Sequence, residues 1–179
     1  MTGSARELRQ LLTFEQGGEE YALPLLRVRE IVEYGGVTRL PAMPSYVLGV
    51  LDLRGQVVPV IDVAAKLGLG EGPVGKRSCI VVVETGLAPS GAVVGVLVQA
   101  VRGVIELTVR EIVAIEAESE AGTDRCWHEI ERPNGPIWLL DLDAALIEEH
   151  GAGLADRAPV APGGEEPGEI AGGPAAGER

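Results

Sequence analysis

The apolar runs of this chain are short, rich in valine, and stopped by glycine or proline. "VVPVI" (57–61), "CIVVV" (79–83) and "AVVGVLV" (92–98) are the clearest. Branched side chains pack well on a pleated sheet and lose rotamer freedom in a helix, so such runs read as strands. With 46% apolar residues the chain is globular. Only six residues are aromatic, so Val, Leu, Ile and Ala must build the core. Many short strands with Gly- and Pro-bearing turns predict a mostly β fold, a barrel or sandwich with a few short helices.

The chain can be followed on that basis. Leu8–Glu15 and Tyr21–Leu23 are two strands around the turn "QGGEE" (16–20). Pro24 suits the first turn of a helix, and Leu25, Val28, Ile31 and Val32 share one helical face of "LLRVREIVEY", which predicts a helix of two turns whose end becomes extended before Gly35-Gly36. A proline-punctuated loop, "PAMPSY", leads into a hairpin, "VLGVLDLRGQVVPVID" (47–62). Asp62 is placed to cap a short helix, "VAAKLG". Ser78–Glu84 and Ala92–Val101 form another hairpin, and Val101–Leu107 continues as a strand. Thr108 is read as the cap of a short turn or helix over 108–112. Val113–Ile115, Cys126–Glu131 and Ile137–Leu140 are further strand candidates, and Asp141 caps a closing helix with Leu142, Ala145 and Leu146 facing in. No convincing internal repeat is visible. Residues 1–150 are expected to form the folded domain. Residues 151–179, of which 19 are Gly, Pro or Ala, are expected to be a disordered acidic tail, because that composition cannot offset backbone ordering entropy.

Charge excludes some partners. The net charge of −12 repels phosphate backbones and anionic lipid, so neither nucleic acid nor a membrane surface is an expected partner. Residues 1–77 are neutral overall and residues 78–150 carry net −9. The start "MTGSARELRQ" has no apolar core region, so no signal peptide is expected. Ile80–Val101 is broken by Glu84, Gly86, Pro89 and Ser90, two strands and a turn rather than a membrane span. A cytoplasmic location follows.

Motifs for chemistry are incomplete. "GEGPVGK" (70–76) fits a phosphate-binding loop, but Arg77 stands where Ser or Thr should hold magnesium, and a valine strand follows in place of a helix. The dinucleotide spacing Gly70-x-Gly72-x-x-Gly75 lacks its strand and helix for the same reason. His128 reads as structural, and His150 as a cation at a helix end. Cys79 and Cys126 show no zinc spacing and no disulfide framework. No catalytic residue, metal ligand or cofactor is expected, and the chain is not read as an enzyme.

The charged interruption inside the hairpin remains. A turn needs Gly55 but does not need Arg54. By residues alone, Arg54 either pairs internally with Asp52 or Asp62 or is offered to a partner. "DLRGQVVPVIDVAAKLGL" (52–69) resembles the signature of the CheW-like family, the chemotaxis coupling proteins, at Leu53, Arg54, Gly55, Pro59 and Asp62. Flanking segments extend the likeness over about residues 10–149. Asp52 stands where the family usually has asparagine, and Ala64-Ala65 where it often carries arginine.

The resemblance implies two small five-stranded β-barrels packed together. It implies a non-enzymatic adaptor that links the cytoplasmic tip of chemoreceptors to the regulatory domain of the histidine kinase CheA. It places partner contacts at Arg54 and Gly55, with Leu53 and Asp52 beside them, and at Val28 and Glu30 in the family's receptor-facing helix region. For Val28, core packing is nearly as good a reading. The alternative is a CheW-like scaffold of a non-chemotaxis pathway, serving motility, pili or another output, with a different kinase or receptor.

Overall fold

The computed structural model describes residue 5 and residues 7–68, 74–87, 91–120 and 126–147. His150, residues 151–179 and the first part of the phosphate-loop-like segment lie outside them.

Ten strands and three helices account for the described fold. In order they are β1 (Gln10–Gln16), β2 (Glu19–Pro24), β3 (Val28–Glu33), β4 (Val47–Leu53), β5 (Gln56–Ile61), α1 (Val63–Lys66), β6 (Cys79–Thr85), β7 (Ala92–Val98), β8 (Ala100–Glu106), α2 (Val109–Glu120), β9 (Trp127–Ile130), β10 (Ile137–Leu140) and α3 (Leu142–Leu146). They form two five-stranded sheets, β8-β1-β2-β10-β9 and β3-β6-β7-β5-β4. The mostly β architecture with two five-stranded units is the expected one. Each ladder is an open sheet with two edges rather than a closed ring.

The valine runs are explained by burial on both faces. In β6, Val81 and Val83 enter the cluster between the two sheets, while Ile80 and Val82 enter a second cluster with Val60 and Leu97. In β1, Leu12 and Phe14 face the inter-sheet cluster, and Leu11 joins Leu139, Ile112 and Ile115 under α2. A strand covered on both sides needs apolar residues at every position, so its sequence does not alternate.

Element order repeats even though sequence does not. β1–β2 and β6–β7 are hairpins, and the strand that follows each crosses to the other sheet. β5 runs parallel to β7, and β10 parallel to β2. Each ends at an aspartate that caps a short helix: Asp62 accepts from Ala65 N at 3.1 Å, and Asp141 from Ala144 N at 3.1 Å. The backbone N–H groups of these aspartates donate to Tyr46 O and Cys126 O, both at 2.8 Å. Replacing either cap with alanine is expected to cost about 1 kcal/mol. Urea midpoints of Asp62→Ala and Asp141→Ala measure it, and an unchanged midpoint would reduce the caps to decoration.

Two expectations are corrected. Leu25–Arg27 is a single 3-10 turn, and Val28–Glu33 is strand rather than helix. Its exposure alternates residue by residue, with Arg29, Ile31 and Glu33 outward. The same four apolar residues fit a helical face, but β6 supplies a pairing edge, and branched Val and Ile suit it. Val113–Ile115 lies inside α2, which runs on to Glu120. Thr108 does cap it, in a reciprocal box: Thr108 N donates to Glu111 Oε2 at 2.7 Å and Glu111 N to Thr108 Oγ1 at 3.4 Å. Burial acts to raise the Glu111 carboxyl pKa, but Thr108's hydrogen bonds and Arg132 outweigh it and lower it.

Candidate partner-docking surface

Leu53 pairs with Gln56, so the β4–β5 hairpin turns on two residues, Arg54 and Gly55. Both have positive φ, 54° and 85°. This is the hairpin turn whose twist matches the strands, and its first position favours Asn, Asp or Gly. A side-chain-bearing residue in left-handed backbone costs roughly 1–2 kcal/mol. The turn chemistry therefore argues against arginine at position 54, and the side chain must account for it.

That side chain is 80% exposed, and its Nη2 lies 2.8 Å from Glu30 Oε2 on β3. The partner is neither Asp52 nor Asp62, the two internal candidates read from the sequence. Asp62 is buried and caps α1. Asp52 Oδ1 accepts from Gly55 N at 2.7 Å and so closes the turn itself. An asparagine Oδ1 would accept the same bond, so the family's asparagine and this aspartate are equivalent for the turn. Asp52→Asn is expected to keep hairpin stability, and Asp52→Ala to lose about 1 kcal/mol. Chemical denaturation of the two variants separates them; equal loss in both would point to the charge instead of the hydrogen bond.

The Arg54–Glu30 contact joins opposite edges of one sheet, since β3 and β4 are its two outer strands. A second contact ties the loop that follows β3 to β4. Thr38 and Val50 exchange backbone hydrogen bonds, both at 2.9 Å. Gly49, with φ 152°, permits this approach, because a Cβ there would strike the Thr38 carbonyl. The sheet is thus curled so that the Glu30 side chain of β3 reaches Arg54, while the loop after β3 bridges β4 at Thr38.

Leu53 is half-buried against the cluster inside this sheet, and Val28 is half-buried against the inter-sheet cluster. Val28 therefore has the packing role, whatever else it does. Val57, 66% exposed, sits opposite Asp52 on the outer face of the hairpin. It was not singled out from sequence. The two-residue turn could have revealed it, because that register puts valine on the same face as a charged residue.

Other groups are committed elsewhere. His128 is buried on β9; its Nδ1 lies 3.1 Å from Glu118 Oε2 and its Nε2 3.4 Å from Ser119 Oγ. The serine hydroxyl donates to Ile115 O at 2.9 Å, as helical serines do, which ties His128 to the end of α2. Burial pushes the Cys126 thiol up to about 11, and raises that of Cys79. Lys76 and Arg77 are exposed on a turn that enters strand β6, as the sequence requires. Among the described residues, no three His, Cys, Asp or Glu converge as a metal site, and no helix is long and apolar enough to cross a membrane.

Comparison with known proteins bears on the family and the fold. Residues 10–149 match the CheW-like domain. The chain is 36% identical over 142 residues to the probable chemotaxis protein CheW of Rhizobium etli, covering 78% of this chain and 88% of that one. It is 36% identical over 116 residues to the chemotaxis protein CheW of Rhizobium meliloti, covering 63% and 72%. The fold is similar to the crystal structure of the scaffolding protein TtCheW from Thermoanaerobacter tengcongensis, with TM-score 0.63 at 22% identity, over 79% of this chain and 90% of that one. With residues 10–149 matching the CheW-like domain, the chain belongs to the CheW-like family.

Proposed function

We propose that this chain is a non-enzymatic coupling protein of a chemotaxis array. It links the cytoplasmic tips of chemoreceptors to the regulatory domain of the histidine kinase CheA, and it works in the cytoplasm beneath those receptors. The observation that carries the reading is Arg54: exposed, on a backbone that disfavours it, and anchored at one end only by Glu30. Arginine offers a planar fork for carboxylates and an apolar stem, and a tight turn limits the freedom lost on docking. Gly55 and Asp52 set the turn, and Leu53 and Val57 supply apolar flanks. Val28 and Glu30 bring β3 to the same surface.

Co-sedimentation with receptor-bearing membranes and kinase from the same cell tests this. The expected outcome is a ternary pellet, with kinase recovery and kinase activity both dependent on this chain. A chain that pellets with neither partner would overturn it. A chain that recruits a different kinase or receptor would move it to another signalling pathway. Calorimetry with ATP and magnesium tests the absence of nucleotide chemistry; saturable micromolar binding lost in Lys76→Ala would contradict it.

A further inference from the structure

The connection between β9 and β10 carries the single asparagine of the chain, Asn134, followed directly by Gly135. Ile130 pairs with Ile137, so residues 131–136 make this connection. Asn134 and Gly135 are exposed, as are Pro133 and Pro136 on either side. Gly135 N donates to Arg132 O at 3.1 Å and closes a four-residue turn. Neither Pro133 nor Asn134 has positive φ, so the turn is type I with Asn134 at its third position. The two prolines have no N–H with which to tie the loop down. A Cβ on Gly135 would meet nothing within 4 Å, so the space around its nitrogen is open. Among the described residues, no hydrogen bond holds the Asn134 side-chain amide.

One side chain steadies the turn from outside. Arg132 Nη1 lies 2.7 Å from Glu111 Oε1, and its Nη2 donates to Glu106 O at 3.3 Å. The residue whose carbonyl accepts from Gly135 is therefore pinned to the end of β8 and the first turn of α2.

We propose that Asn134 is a site of spontaneous deamidation, at which the Gly135 backbone nitrogen closes on the side-chain amide and the chain gains a carboxylate. The Gly135 nitrogen gives up its proton and attacks Asn134 Cγ. The N–Cγ bond forms, the Cγ–Nδ2 bond breaks, and Nδ2 leaves as ammonia with the proton. Water then opens the five-membered imide. Cleavage at Cγ gives aspartate, and cleavage at the main-chain carbonyl carbon gives isoaspartate. Nothing is oxidised or reduced. Glycine suits the attacking position because it has no side chain to obstruct ring closure. The ring closes only after the turn opens, since the same N–H is held by Arg132 O. Exposed loops open locally at small free-energy cost, so the Arg132 anchor sets how often this occurs. Either product adds one negative charge to a chain of net −12. Isoaspartate also inserts a methylene into the main chain, and the turn hydrogen bond is lost.

Incubation of the full chain in mildly alkaline buffer, followed by peptide mass mapping, tests this. The expected result is conversion of the Asn134 peptide into two separable products, each heavier by the exchange of an amide for a carboxyl, with ammonia released in equal amount. Arg132→Ala should convert about fivefold faster, as loss of a surface ion pair with its hydrogen bond allows. Asn134→Gln should stay unconverted over the same period, because its ring would need an extra atom. A free peptide spanning 131–138 gives the unrestrained rate. An intact Asn134 in the folded chain after that peptide has fully converted would overturn the proposal. So would aspartate as the sole product, which means direct hydrolysis without the imide. Equal rates in Arg132→Ala and the parent would remove the anchor from the account, and an equal mass gain in Asn134→Gln would place the reaction elsewhere.

Discussion

Arg54→Glu is expected to reduce kinase recovery in receptor pellets about a hundredfold while leaving the fold intact. Buried interface arginines commonly cost 2 kcal/mol or more when truncated, and a reversed charge adds repulsion against the same partner carboxylate. Stability should change by no more than about 1 kcal/mol, because the lost ion pair is a surface one with an 80% exposed arginine. Two companion variants separate docking from turn support. Arg54→Gly removes a side chain from left-handed backbone, so it should raise the urea midpoint while still abolishing coupling. Arg54→Glu combined with Glu30→Arg rebuilds the pair across the sheet edges with its polarity reversed. If turn support were the role, the double variant would regain coupling. If docking is, it stays inactive. Full coupling in Arg54→Gly would sink the assignment outright.

Local chemistry made most of this fold legible, and tertiary pairing hid the rest. The caps at Asp62, Asp141 and Thr108 could be read because each acts on its own helix within three residues. The β4–β5 hairpin could be read because its apolar runs flank a turn glycine. β3 could not. Leu25, Val28, Ile31 and Val32 satisfy a helical period as well as a strand one, and only pairing with β6, some fifty residues away, decides it. α2 was cut short because Val113-Ala-Ile reads locally as strand, whereas Ile112 and Ile115 dock it on the cluster with Leu11 and Leu139. The repeated element order left no trace because the third strand of each half crosses to the other sheet, so equivalent positions meet different neighbours. At the β4–β5 turn, Arg54 and Gly55 came from the signature, and the turn geometry explains Asp52. The Glu30 partnership depends on the curl that brings β3 to β4, which no local pattern encodes.

That crossed architecture makes one further outcome specific. Phe14→Ala should cost about 3–5 kcal/mol, the usual range for deleting a buried aromatic. Phe14 is 2% exposed and stacks on Tyr21 with ring centroids 6.0 Å apart. Burial raises the Tyr21 phenol to about 12, with Glu19 adding to it, as expected of a ring inside the same core. The cluster they occupy is not private to their sheet. Val81, Val83, Val94, Val96 and Val98 of the other sheet close it from the far side. A cavity here should therefore weaken both sheets together. A domain of this size is stable by about 5–15 kcal/mol, so the variant should remain folded but with a much lower midpoint. Hydrogen exchange gives the decisive reading. Amide protection in β6 and β7 should fall by the same free energy as in β1 and β2, in one cooperative transition followed by Trp127 and Trp138 fluorescence. Loss of protection in β1 and β2 with β6 and β7 unchanged would mean two independently folding sheets. The exchange of β3 and β8 between the halves argues against that outcome, since neither half can complete its own sheet without a strand from the other.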